Sequence, residues 1–103
     1  MNAKKPMLRS TMPTVVEAVT DRLRRAGAKF HANDNIAEHI LPGEMDDLRH
    51  EVARRAEYFL RGLLIDVDND HNTKGTAERI AKMYLTEVFK GRYLPPPEIT
   101  DFP

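Results

Sequence analysis

The chain has 103 residues, enough for one small domain or for one part of a larger one. Its hydrophobic fraction of 41% is low for a self-sufficient globule, its charged fraction of 31% is high, and its formal charge balances at zero. That balance removes any global argument for nucleic acid or an anionic membrane as partner. The absence of cysteine excludes disulfides and thiolate metal sites and fits a reducing cytoplasm.

No apolar run approaches the ~20 residues of a membrane span. Met1 to Met12 is basic and free of acids, but no apolar stretch follows it as a secretory signal requires. A cytoplasmic protein with no membrane partner is expected. Residues 1–29 carry seven Lys and Arg against two acids, and residues 30–103 carry nine against fourteen. The basic arm reads as a solvated tail, with docking on a neighbouring subunit as the alternative.

Residues 1–12 read as a disordered lead-in. Pro13 suits the first turn of a helix, and Val15, Val16, Ala18, Val19, Leu23 and Ala26 form its apolar side. Glu17, Asp21, Arg22, Arg24 and Arg25 lie opposite, and Gly27 supplies the stop. The Arg22–Lys29 cluster reads as an exposed face with favourable charge at a helix C-terminus. No aromatic residues interleave it as base stacking requires, so no nucleic-acid partner is expected.

Residues 28–43 form a connection pinned by Phe30, Ile36, Ile40 and Leu41, with one helical turn across Ile36–Ile40. His31 and His39 lack metal-ligand spacing and read as surface histidines. A second helix is predicted over 44–65. Its stripe is Met45, Leu48, Val52, Ala56, Phe59, Leu60, Leu63 and Leu64, and the widening from Phe59 to Ile65 predicts its deepest packing there. Glu51 with Arg55, and Glu57 with Arg61, stand at i,i+4 in the favourable order.

Asp66, Asp68 and Asp70 suggest a calcium loop. Such a loop needs glycine at its sixth position and glutamate at its twelfth, where this chain has His71 and Ala77. An acidic turn is the reading that survives, with His71 as a turn residue. A third helix follows, with Thr76 as N-cap and Glu78 at the positive end of its dipole. Ala77, Ile80, Ala81, Tyr84, Val88 and Phe89 form its apolar face. Lys90 and Gly91 mark its end, and Pro95, Pro96 and Pro97 forbid resumption. The second and third helices should pack as an antiparallel pair, with Tyr84 and Phe89 against Phe59–Leu64. The first helix would lie across that pair or against another subunit. No strand is predicted before Ile99.

Thr76, Arg79, Ile80, Ala81, Lys82, Met83, Tyr84, Glu87, Val88, Phe89 and Gly91 stand at the spacing of a segment found in the GTP cyclohydrolase I family, T-P-x-R-[IV]-A-K-M-Y-x-x-E-[IV]-F-x-G. Ala77 replaces the family's frequent proline, and Ile99-Thr100-Asp101-Phe102 fits the stretch that follows a proline-containing link. The resemblance is specific over residues 48–102.

It implies a mainly α chain: an antiparallel amphipathic helix pair plus an N-terminal helix. Residues 13–98 would form the helical N-terminal region, and 99–103 the first strand of an α+β tunnelling-fold domain that is not present. Family members convert GTP and water to 7,8-dihydroneopterin triphosphate and formate, for tetrahydrofolate, pterin or deazaguanine synthesis. They do so as zinc hydrolases assembled into homo-oligomers. Their two zinc-binding cysteines and histidine, and their GTP-binding residues, lie downstream of the matched region. The resemblance therefore assigns no catalytic, cofactor-binding or metal residue here.

The expected function is the N-terminal part of such an enzyme, truncated or split and inactive alone. Its partner would be a further copy or the catalytic C-terminal half, with zinc and GTP bound only by the complete enzyme. The alternative is a non-enzymatic helical protein that binds a full-length cyclohydrolase and modulates its assembly.

Overall fold

A computed structural model describes residues 12–96. The expectations for the lead-in up to residue 11, and for Ile99–Phe102 as a strand, lie outside these residues. Among the described residues all regular structure is helical, as the sequence predicts. The helices are α1 (Val15–Arg25), α2 (Glu44–Gly62), α3 (Thr76–Met83) and α4 (Lys90–Tyr93). A π turn, Tyr84–Val88, joins α3 towards α4, and 3-10 turns occur at Ala37–His39 and His71–Thr73.

Helix α1 begins two residues later than Pro13 suggests, because Thr14 closes a capping box. Its hydroxyl accepts from the Glu17 amide at 3.1 Å, and the Glu17 carboxylate accepts from the Thr14 amide at 2.9 Å. The helix buries Val19 and Leu23, which form a core with Ile36, flanked by Phe30, Ile40 and Tyr93. Arg22 is not on the solvent face. Its guanidinium bonds both Glu44 oxygens, at 2.7 and 2.9 Å, and donates to the His39 carbonyl, tying α1 to the start of α2. The 3-10 turn at Ala37–His39 is the short turn expected across Ile36–Ile40.

Helix α2 stops at Gly62, three residues before the predicted end. The Leu64 amide bonds the Arg61 carbonyl, and the Ile65 amide bonds the Leu60 carbonyl. This is the Schellman closure, which needs a left-handed residue at its centre. Leu64 takes that place at φ 67 and is 92% exposed. The end expected to be deepest is thus the most open: Phe59 is 65% exposed and Leu63 57%, and only Leu60 is buried.

The chain then reverses, and α2 with α3 is the most extensive helix packing in the fold. Gly75, Ala77 and Glu78 line a cleft with Ala53 and Glu57 of α2. Tyr93, at the far end, returns to the α1 core. The pair is therefore antiparallel, and α1 lies on the opening turns of α2. Ala81, fully buried, is the only residue of α3 itself to be so.

Thr76 is not the N-cap. Gly75 holds that position at φ 79, with no side-chain cap, and Thr76 opens the helix and accepts from Arg79 at 3.2 Å. The uninterrupted third helix is also corrected. Within the π turn the Phe89 amide reaches the Tyr84 carbonyl, five residues back, at 2.9 Å. Ala81 and Leu85, four apart and so on one side, are buried, while Tyr84 is 42% exposed and Val88 54%. Tyr84 and Phe89 stack on each other at 6.0 Å, at the opposite end of the pair from Phe59–Leu64. Gly91 lies inside α4 rather than ending a helix.

Candidate functional site

Two surface features could carry function: a polar cleft beside α2 and the open apolar side of the helix pair. The cleft, half-open and of about 610 Å³, lies between α2, the turn after it and the start of α3. His50, Ala53, Glu57, Asp68, His71 and Lys74 are among its lining residues.

Its charges are largely spent on local structure. Arg61 donates to Glu57 at 2.7 Å and to Asp68 at 2.9 Å. That guanidinium holds the Asp68 carboxyl below the usual carboxylate range, and the two acids push the Arg61 pKa up. Asp66 accepts from the Asn69 side chain at 2.9 Å, and Asp70 accepts from the Asn72 amide, capping the turn that His71 opens. The Asp66–Asp70 run is an acidic turn in which each carboxylate has a local task. Among the described residues, no three His, Cys, Asp or Glu groups come together as metal ligands.

The other residues singled out by the sequence are dispersed. His31 lies 3.9 Å from Asp34, and His39 lies 3.4 Å from the exposed Glu38. The basic cluster is divided: Arg22 is clamped to Glu44, Arg25 pairs with Asp21 at 2.9 Å, and Arg24 sits over the Phe30 ring at 5.9 Å. The Arg22 guanidinium holds the Glu44 carboxyl below its ordinary range, aided by the Leu41 amide.

Besides the Arg22–Glu44 clamp, sequence reading missed the connection between residues 31–36 and α4. Asn35 donates to the Gly91 carbonyl at 2.8 Å and the Leu94 carbonyl at 2.6 Å. The Arg92 guanidinium donates to the His31 carbonyl, and the Ile36 amide to the Arg92 carbonyl. These bonds join segments remote in sequence, and Asn35 carries no local pattern that could announce them.

Exposed apolar side chains lie at both ends of the helix pair. Tyr58, Phe59, Leu63 and Leu64 stand at the α2 C-terminus, and Met83, Tyr84, Val88 and Phe89 at and around the π turn. Comparison of the chain with models of known protein families, with curated proteins and with solved structures finds no match in any of the three.

Proposed function

We propose that this chain is the N-terminal helical region of a GTP cyclohydrolase I, supplying scaffold to an enzyme whose zinc and GTP sites reside on other residues. The observation that carries the reading is the exposure of the matched motif. Of its eleven residues, only Ala81 is buried, and Arg79, Lys82, Met83, Tyr84, Glu87, Val88, Phe89 and Gly91 are exposed. The needs of this chain's own core therefore account for little of the pattern. A contiguous exposed Met-Tyr and Val-Phe pattern fits a segment that packs against further polypeptide.

The residues present do not fit the family's zinc centre. The chain has no cysteine, and the described residues form no three-ligand cluster. No chemical step is assigned to this chain. Its role in the complete enzyme is to present the outer side of α3 and the π turn as a packing surface.

The same exposed residues favour a second reading, a non-enzymatic partner that binds a full-length cyclohydrolase and alters its assembly. Affinity purification of the tagged chain from its source, followed by assay of formate release from GTP and of bound zinc, tests both. The first reading predicts activity that resides in a stoichiometric complex containing one copy of the family's catalytic half per chain. The second predicts a complete cyclohydrolase in the complex, with activity that persists when the chain is stripped away. A preparation with neither activity nor zinc contradicts both.

A further inference from the structure

The chain enters its fold at the edge of a groove. A shallow hollow of about 480 Å³ runs between the start of α1 and the opening turns of α2, and Met12 and Pro13 stand among its lining residues. Val15 and Ala18, both half-buried, contribute apolar surface to it, and Glu44, Asp47 and Glu51 line it from α2. Two of these carboxylates are engaged within the fold: Glu44 by Arg22 at 2.7 Å, and Glu51 by Arg54 at 2.6 Å and Arg55 at 2.9 Å. Of the lining cations, Arg54 is thus held by Glu51, and His50 lies 3.9 Å from Asp46. Asp47 is exposed, and its carboxylate has no hydrogen bond or ion pair among the described residues. Through Glu51 the opening of α2 sets Glu44, Asp46, Asp47 and Glu51 against Arg49.

Residues 1–11 supply what such a groove takes. They hold Lys4, Lys5 and Arg9 with no acid, and Met7 and Leu8 side by side. A chain extends by at most roughly 3.3–3.6 Å per residue, so this arm reaches up to about 40 Å, whereas Glu44 to Glu51 rises only about 10 Å along a helix. The arm spans the groove with slack to place its apolar pair and its cations separately. Tethering at Met12 gives it an effective concentration on the order of millimolar, so contacts that are individually weak in solvent suffice. A separate partner of the same chemistry lacks that advantage.

We propose that residues 1–11 bind the α1–α2 groove of their own chain, with Met7 and Leu8 on Val15 and Ala18 and a basic side chain on Asp47. The arm then straps α1 to the start of α2. Nothing in the strap depends on the cyclohydrolase reading.

The chain has no cysteine, so Asn2→Cys gives a unique site for a nitroxide spin label. In isotope-labelled protein the label should weaken the amide signals of Val15–Ala18 and Glu44–Glu51 relative to those of Phe59–Leu64, at the far end of α2. Lys4→Glu with Lys5→Glu, both outside the described residues, should abolish that weakening. Asp47→Asn should reduce it while leaving the helical circular dichroism intact. Mixing spin-labelled chain that lacks the isotope with isotope-labelled chain that lacks the spin label separates the two possible sources of the arm, and signals in the mixture should stay intact. No weakening at the groove, weakening spread evenly along α2, or weakening that persists in the charge-reversed arm overturns the strap. Weakening of equal size in the mixture assigns the groove to the arm of a second copy and overturns the intrachain assignment.

Discussion

Two substitutions test which side of the third helical segment is buried. Apolar periodicity puts Tyr84 and Val88 on the inner face. The structure instead buries Leu85, which is 5% exposed, and leaves Tyr84 at 42%. Truncating a buried leucine to alanine costs about 2–5 kcal/mol, according to how far the site can collapse. This core is thin, with no large side chain less than 2% exposed among the described residues, so Leu85→Ala should fall near the lower end, about 2–3 kcal/mol. Tyr84, 42% exposed, retains somewhat more than half of a full burial contribution, so Tyr84→Ala should cost about 1–1.5 kcal/mol. About 1 kcal/mol shifts Tm by about 4–8 °C in a chain of this size, so the two variants should melt several degrees apart. Thermal unfolding by circular dichroism, at fixed protein concentration, reads both. A Tyr84→Ala loss equal to or larger than that of Leu85→Ala would refute the assigned face.

Three further outcomes follow from local structure. Thr14→Ala removes the hydroxyl half of the α1 capping box and should cost about 1 kcal/mol in denaturant unfolding. Leu64→Gly relieves a left-handed backbone that costs a non-glycine residue roughly 1–2 kcal/mol, part of which glycine's extra unfolded freedom offsets; a modest rise in Tm is expected. The Glu44 carboxyl is held below its ordinary range by Arg22. It therefore contributes stability above its unfolded pKa of about 4.3, and that stability is lost as pH falls through the lower folded value. Arg22→Met should flatten this acid limb in a Tm-versus-pH series, and an unchanged limb would show that the clamp is not its source.

Local chemistry made several elements legible in sequence. The acidic first turn of α2, the i,i+4 pairs Glu51–Arg55 and Glu57–Arg61, and the acidic turn between helices are all short-range patterns, and each is formed. Apolar periodicity placed the helices and the inward side of α1, where Val19 and Leu23 are buried, but not the open end of α2 or the exposed Tyr84 and Val88. A run such as Phe59–Leu64 reads as deep core because burial is assigned from hydrophobicity, whereas a Schellman closure at Leu64 turned the chain away and left those side chains in solvent. Thr76 looked like a cap because its residue type suits one, but Gly75 already supplied the left-handed entry. The connection between residues 31–36 and α4 and the Arg22–Glu44 clamp depend on which segments meet, information that composition does not hold. As for the site, sequence reading assigned no chemical residue. The exposed motif emerged only once the buried side of α3 was known.

The role proposed for this chain is scaffold for chemistry borne by other residues. Intact mass of the protein from its natural source, native and then denaturing, with zinc measured on the same sample, tests it most directly. The expected result is a cysteine-containing polypeptide, either continuous with this sequence or bound to it in stoichiometric amount, that brings zinc. A zinc-free 11.8 kDa chain, alone or paired only with itself, would contradict it.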